Sequence, residues 1–270
     1  MFGRKGSGSE MTGVSTRQIG VRTDSHAGGK VAHVAIENER KLNTMNLSLM
    51  EEFIATVRTL ATDEELRAVV LTGAGVKSFI GGADIYQMAK LDSAGARAFI
   101  TQVHGCCLAM RDLPVPTIAR VNGFCLGAGL EVAASCDMRI ASDNAVFGMP
   151  EVKVGVPSVV EAALLPRLIG WGRTAEMLLV ADNIDAKTAY EWRFVEKVVP
   201  AAELDAAVDK WLHSILEAGP KAVRLQKMLM RRWEQLPLDQ AVRSGIDAFA
   251  QSMESDEPKR LMGNFVNRAR

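Results

Sequence analysis

The sequence predicts an α/β fold with a mostly α C-terminal part. Up to about Pro157, short apolar segments ending in glycine turns alternate with stretches of helical periodicity. Beyond it helix follows helix, with one strand-like interruption at "RFVEKVVP". No fixed-period repeat is visible, and no linker is long enough to force two independent domains.

Taken in order, "MFGRKGSGSE" opens a flexible leader, assigned to residues 1–29. A core over residues 30–200 and a helical region over 201–270 are expected to follow. "KVAHVAIEN" alternates apolar and polar residues, as a half-buried strand does, and leads into the irregular "ERKLNTMN". Leu47 to Leu60 is helical, with Leu49, Phe53, Ile54 and Val57 on one side. "RAVVLTGAG" is a buried strand ending in a glycine turn, and "FIGGAD" is a loop. A helix over Asp92–Arg111 stops before Pro114 and Pro116. "TIARV" is a second buried strand, "NGFCLGAGLEVAAS" turns into a helix, and "MRIASDNAVFGMPEV" returns to short strands. Helices are then expected at Glu161–Ile169, Arg173–Leu179, Ala186–Trp192, Ala202–Leu216, Lys221–Trp233, Leu238–Glu254 and Pro258–Val266.

Composition narrows the function classes. The 270 residues are 48% hydrophobic and 24% charged, enough apolar matter for a sizeable core. Thirty-two basic residues balance 32 acidic ones, so no overall field draws in nucleic acid or an anionic membrane. Cys106, Cys107, Cys125 and Cys136 sit in apolar surroundings without metal-ligand spacing and read as buried reduced thiols. No apolar run has the length of a membrane span and no secretory h-region opens the chain, so a cytoplasmic protein is expected.

The chemistry concentrates in four places. In "FIGGADI" adjacent glycines between strand and helix let backbone amides approach a ligand, although Gly-Gly is also simply a turn. In "NGFCLGAGLEVA" a glycine turn opens a helix, and Glu131 lies in its first turn. There it complements the helix dipole, or, among buried neighbours, it has a partner or a task. Glu151 follows Pro150 on a stiff backbone, as a catalytic group or as a surface carboxylate paired with Lys153. Glu161 starts the next helix, where the dipole alone accounts for a negative charge. HExxH, the phosphate-binding GxxxxGK[ST], GxGxxG and GxSxG are all missing, and the four histidines stand apart from serine- or cysteine-bearing turns.

In this order the pieces resemble the crotonase family, the enoyl-CoA hydratases and isomerases. "FIGGADI" is similar to that family's F-x-x-G-A-D-[IL] loop, "VNGFCLGAGLEVAASCDMRIAS" to its second oxyanion segment, and "AVFGMPEVKVG" to its F-x-x-P-E segment. "IDAKTAYEWRFVEKVVP" resembles the helix that leads into a last short strand, and the likeness spans roughly Lys30 to Arg270.

The resemblance implies a spiral of ββα turns followed by helices that mediate trimer contacts, in a homotrimer or dimer of trimers. It implies an acyl-CoA thioester as substrate, with no cofactor or metal beyond the coenzyme A that the substrate carries. Backbone N–H groups of Gly81 and Ala128 would form an oxyanion hole, and Ala83, Asp84 and Ile85 would lie along the CoA. Arg40 and Lys41 would meet its phosphates, and Phe265 and Arg268 would reach a neighbouring subunit's CoA. Hydratases of the family divide proton transfer between two glutamates. Here these would be Glu131, which holds and deprotonates water, and Glu151, which protonates Cα. "VPSVVEAALLP" departs from the glycine-rich turn common in the family, which makes Glu161 a possible specificity residue near the acyl end. Other reactions that this architecture supports are double-bond isomerisation and thioester hydrolysis. A non-catalytic CoA- or RNA-binding role would use the basic "KAVRLQKMLMRRW", although no nucleic-acid partner is expected from the balanced charge.

Overall fold

A computed structural model describes residues 18–268, apart from the side chains of residues 264, 265, 267 and 268. β1 (Ile19–His26) and β2 (Gly29–Ile36) pair antiparallel, from Ile19 opposite Ile36 to His26 opposite Gly29. β1 thus lies inside the stretch expected to be leader up to residue 29. "IGVRTDSH" is polar and buries only Ile19, so it is held by pairing with β2 rather than by its own hydrophobicity.

α1 (Leu47–Ala61) starts at Asn46, whose side chain accepts from Leu49 N at 2.9 Å, and buries Leu49, Met50, Phe53, Ile54 and Val57. β3 (Leu66–Gly73) is buried almost throughout, as a central parallel strand must be. The chain then makes a short strand, β4 (Ser78–Ile80), and two helices, α2 (Ile85–Met88) and α3 (Ser93–Asp112). The same long strand, short strand, helix order recurs in β5 (Thr117–Val121), β6 (Phe124–Leu126) and α4 (Ala128–Ala134). β7 (Met138–Ser142) and β8 (Val146–Gly148) open a third turn. This time 3₁₀ segments follow, at Glu151–Val154 and Val160–Leu164. The helix expected from Glu161 thus begins as a 3₁₀ turn and becomes α-helical only at α5 (Leu165–Ile169). After α6 (Trp171–Ala175) the chain forms a π turn over Glu176–Val180, then β9 (Ile184–Asp185), α7 (Ala186–Glu191) and β10 (Lys197–Val199).

Each turn of this spiral contributes a long strand to one sheet and a short strand to another. The large sheet runs β1-β2-β3-β5-β7-β10, parallel from β2 onward, and the small one runs β4-β6-β8-β9, with only β9 antiparallel. Four helices follow: α8 (Leu204–Glu217), α9 (Pro220–Trp233), α10 (Leu238–Ser252) and α11 (Glu257–Arg268).

The expected division at residue 200 does not separate α8 from the core. Leu204, Ala207, Val208 and Leu212 pack on Val31, Ala68, Val70, Ile118 and Ile140 and cover one face of the large sheet. α9 is tied down by charge. Lys227 Nζ is buried and donates to Asp137 Oδ2 and to the Val115 carbonyl, both at 2.8 Å, while Arg224 donates to the carbonyls of Asp63, Glu64 and Leu66. Arg231 pairs with Glu234 and Asp112. These cations of the basic stretch face protein partners, which weakens its reading as an RNA-binding surface. Removing one partner of a buried pair leaves the other charge uncompensated. Asp137→Ala is therefore expected to cost about 3–5 kcal/mol in denaturant unfolding, and a loss under about 1 kcal/mol would disprove that account.

Candidate active site

β6 and β8 are adjacent parallel strands, so the segments leaving their C-terminal ends lie side by side. β6 passes through Gly127 into α4, which carries Glu131; β8 passes through Met149 and Pro150 to Glu151. Two carboxylates twenty residues apart in sequence thereby line one cavity of about 1260 Å³. Gly127 is required twice over. Its φ of +50° is a left-handed conformation, and a Cβ on it would collide with Glu151 Oε1.

Glu131 is 4% exposed and its Oε1 accepts from the Ala162 amide at 3.1 Å. Burial pushes its carboxyl up to about 8; the Ala162 hydrogen bond opposes the rise, and the charges of Glu151 and Glu161 add to it. Burial raises Glu151 too, opposed by hydrogen bonds that include Ser158 Oγ, which donates to Oε2 at 2.9 Å. Lys153 pairs with Asp182 at 2.6 Å, not with Glu151.

The cavity wall includes Gly81, Gly82, Leu126 and Ala128. Ala128 opens α4, so its amide belongs to the first turn, which has no acceptor within the helix. The Gly81 amide is not free as expected: it donates to the Leu42 carbonyl at 2.9 Å. That carbonyl also accepts from Ser78 Oγ at 2.7 Å. Arg40 and Lys41, both exposed, lie at the cavity on a 3₁₀ turn, and Ala83 pairs with Met45 in an isolated bridge. Asp84 also lines the cavity, but its carboxylate caps α2 by accepting from Tyr86 N at 2.9 Å and Gln87 N at 3.1 Å, with Lys41 Nζ 3.5 Å away. Ile85 is about half exposed beside it. An apolar limb is built from Met88, Leu91, Phe99, Ile100 and Val103.

Glu161 is not part of the cavity wall. It is buried, with Oε1 2.8 Å from His104 Nδ1 and Oε2 without a hydrogen-bond partner among the described residues. The side chains of Phe265 and Arg268 lie outside the described residues. Ser158, the Ala162 amide, the Leu42 carbonyl and the α3 wall were not singled out from sequence. Only the wall had a readable signal, the apolar spacing of Phe99, Ile100 and Val103. All four cysteines are free and buried. Among the described residues no helix is long and apolar enough to cross a membrane, and no group of His, Cys, Asp or Glu could hold a metal ion.

The sequence model of the family described as enoyl-CoA hydratase/isomerase matches residues 26–270. The chain belongs to the enoyl-CoA hydratase/isomerase family. Within it, a short-chain-enoyl-CoA hydratase from Clostridium acetobutylicum is 37% identical over 241 residues, which cover 89% of this chain and 92% of the relative. A crotonyl-CoA hydratase from Syntrophomonas wolfei is 36% identical and covers 88% of this chain and 92% of its own. The crystal structure of an enoyl-CoA hydratase from Bacillus anthracis superposes with a TM-score of 0.88 at 30% identity, covering 93% of this chain and 97% of that one. The fold is the crotonase spiral that the family shares.

The raised carboxyl has a consequence for folding. An unfolded glutamate titrates near 4.5 and folded Glu131 near 8, so between these values the folded state holds more protons. Stability is therefore lost as pH climbs through that window. Glu131→Gln is expected to raise Tm relative to wild type, by an amount that grows from pH 5 to pH 8. A Tm difference that stayed constant across this range would refute the buried-carboxyl assignment.

Proposed function

We propose that this chain is an enoyl-CoA hydratase that adds water across the 2,3 double bond of a 2-enoyl-CoA thioester. The observation that carries the reading is the pair of upward-shifted carboxyls, buried Glu131 and partly buried Glu151, on one cavity wall beside the first-turn amide of α4. Hydration needs one group to take a proton from water and one to give a proton to Cα, so a carboxylate beside a carboxylic acid meets both needs. Glu131 accepts the proton as the water oxygen bonds to Cβ, and Glu151 delivers its own proton to Cα. A water donating to Glu131 favours its ionised form, while substrate that further buries Glu151 favours the neutral acid, so binding favours the two protonation states that the reaction uses. Amides of Ala128 and Gly81 stabilise the negative charge that develops on the thioester oxygen, the Gly81 N–H exchanging the Leu42 carbonyl for it.

Arg40 and Lys41, at the cavity, would meet the CoA phosphates, and Ala83, Asp84 and Ile85 would lie along its adenine and pantetheine. No cofactor beyond the CoA of the substrate is called for, and unpaired thiols suit the reducing cytoplasm. Isomerisation and thioester hydrolysis are the neighbouring reactions of the family, but the second carboxyl on the cavity wall, Glu151, favours hydration. Self-association through the C-terminal helices, as a trimer or a dimer of trimers, fits α10, which leaves Leu238, Val242, Ile246 and Phe249 exposed along one side. Light scattering should then give a trimeric or hexameric mass, and a monomer would rule this out.

Incubation with a panel of 2-enoyl-CoA thioesters should yield products heavier by one water. Glu131→Gln and Glu151→Gln should each lower kcat about 10²–10⁴-fold, and wild-type turnover in both would sink the hydratase reading. Glu161→Gln should cost less than either. Glu131 works as the base only when ionised, and burial pushes its carboxyl up to about 8, so kcat/KM should rise as pH climbs toward about 8.

A further inference from the structure

Glu161 presents an unexplained expense. It is buried next to Glu131, its charge disfavours ionisation of that carboxyl, and its Oε2 has no partner among the described residues. A neutral residue would fill the space without these costs. Its one side-chain bond crosses 57 residues of sequence to the half-exposed His104 on α3.

The backbone around it is strained as well. Val160 has a φ of +37°, a left-handed value that a β-branched side chain adopts only when its surroundings compel it. Val160 begins the 3₁₀ segment, and two residues later the same segment presents the Ala162 amide to Glu131 Oε1. The geometry therefore runs in one line: α3, His104, Glu161, the strained Val160–Ala162 turn, and the Glu131 carboxyl.

We propose that His104 and Glu161 are positioning residues that aim Glu131, by clamping the turn whose Ala162 amide holds its Oε1. This rests on the hydratase reading for its kinetic consequence and on geometry alone for its structural one. The His104 ring donates Nδ1–H to Glu161 and anchors the turn to α3. That anchor offsets the strain at Val160, and the Ala162 N–H stays directed at the carboxyl. Loss of the donor lets Val160 relax toward an ordinary β-branched conformation and swings the amide away. Neither residue need touch substrate.

Three variants test this. His104→Leu removes the donor, His104→Asn keeps a side-chain N–H at a comparable reach, and Val160→Gly removes the strain, since glycine adopts positive φ freely. On the thioester that wild type turns over best, His104→Leu should lower kcat about 10- to 100-fold while KM stays within about threefold, as expected for a misplaced catalytic group. His104→Asn should keep most of the activity, and adding Val160→Gly to His104→Leu should restore part of it. Independently of turnover, amide hydrogen exchange of the peptide spanning 156–165 should quicken in His104→Leu and return toward wild type in His104→Asn. Unchanged exchange in His104→Leu would overturn the clamp. So would equal kcat losses in the Leu and Asn variants, or a loss expressed mainly in KM. A wild type that hydrates no thioester would overturn the hydratase reading, while the exchange arm still decides the clamp.

Discussion

The constraint on which the site depends is the close approach of α4 to the short strands of the small sheet. A Cβ on Gly129 would collide with the Ile80 carbonyl of β4, and one on Gly127 would collide with Glu151. Only a bare backbone lets the helix start press this far into the sheet. From that contact follow the adjacency of Glu131 and Glu151, the place of Ala128 on the cavity wall, and the shared wall between the two loops. The two sheets follow the same logic at larger scale. Long strands buried by α8 on one face make a rigid scaffold, and short strands end early to leave room for a cavity.

Electrostatics sets the second layer. Three carboxyls, Glu131, Glu151 and Glu161, lie in or behind one wall, and no lysine or arginine forms an ion pair with any of them among the described residues. Each instead has a neutral or titratable hydrogen-bond partner: the Ala162 amide, the Ser158 hydroxyl and the His104 ring. For Glu131 and Glu151 such partners leave protonation adjustable, whereas an arginine would favour the ionised carboxylate. The strong ion pairs lie elsewhere, as in Lys227–Asp137 and Arg139–Glu196, where charge serves to join elements.

What the sequence revealed was local. Glycine-rich and Pro-Glu motifs mark short backbone geometries, so Glu131 and Glu151 could be picked out together with the loops that carry them. Helices such as α1, with a continuous apolar face, were equally plain. What it hid depends on contacts across the fold. β1 is a polar strand that exists through its partner, and α8 belongs to the core because its contacts reach back to Val31 and Ile140. The bond from His104 to Glu161 and the one from Gly81 to Leu42 each span more than thirty residues, a separation over which periodicity and spacing carry no information.

The carbonyl of Leu42 holds the Gly81 amide, so a ligand oxygen that is to use this amide, as proposed, has an internal competitor. A neutral ligand carbonyl that displaces it trades one ordinary hydrogen bond for another and gains almost nothing. An oxygen that acquires negative charge wins the exchange, because a charge-assisted hydrogen bond is roughly twice as strong. Under the proposed chemistry, the intrinsic acceptor thus subtracts from ground-state affinity and leaves the benefit to the moment when charge develops. That is the condition under which binding energy becomes rate rather than mere occupancy.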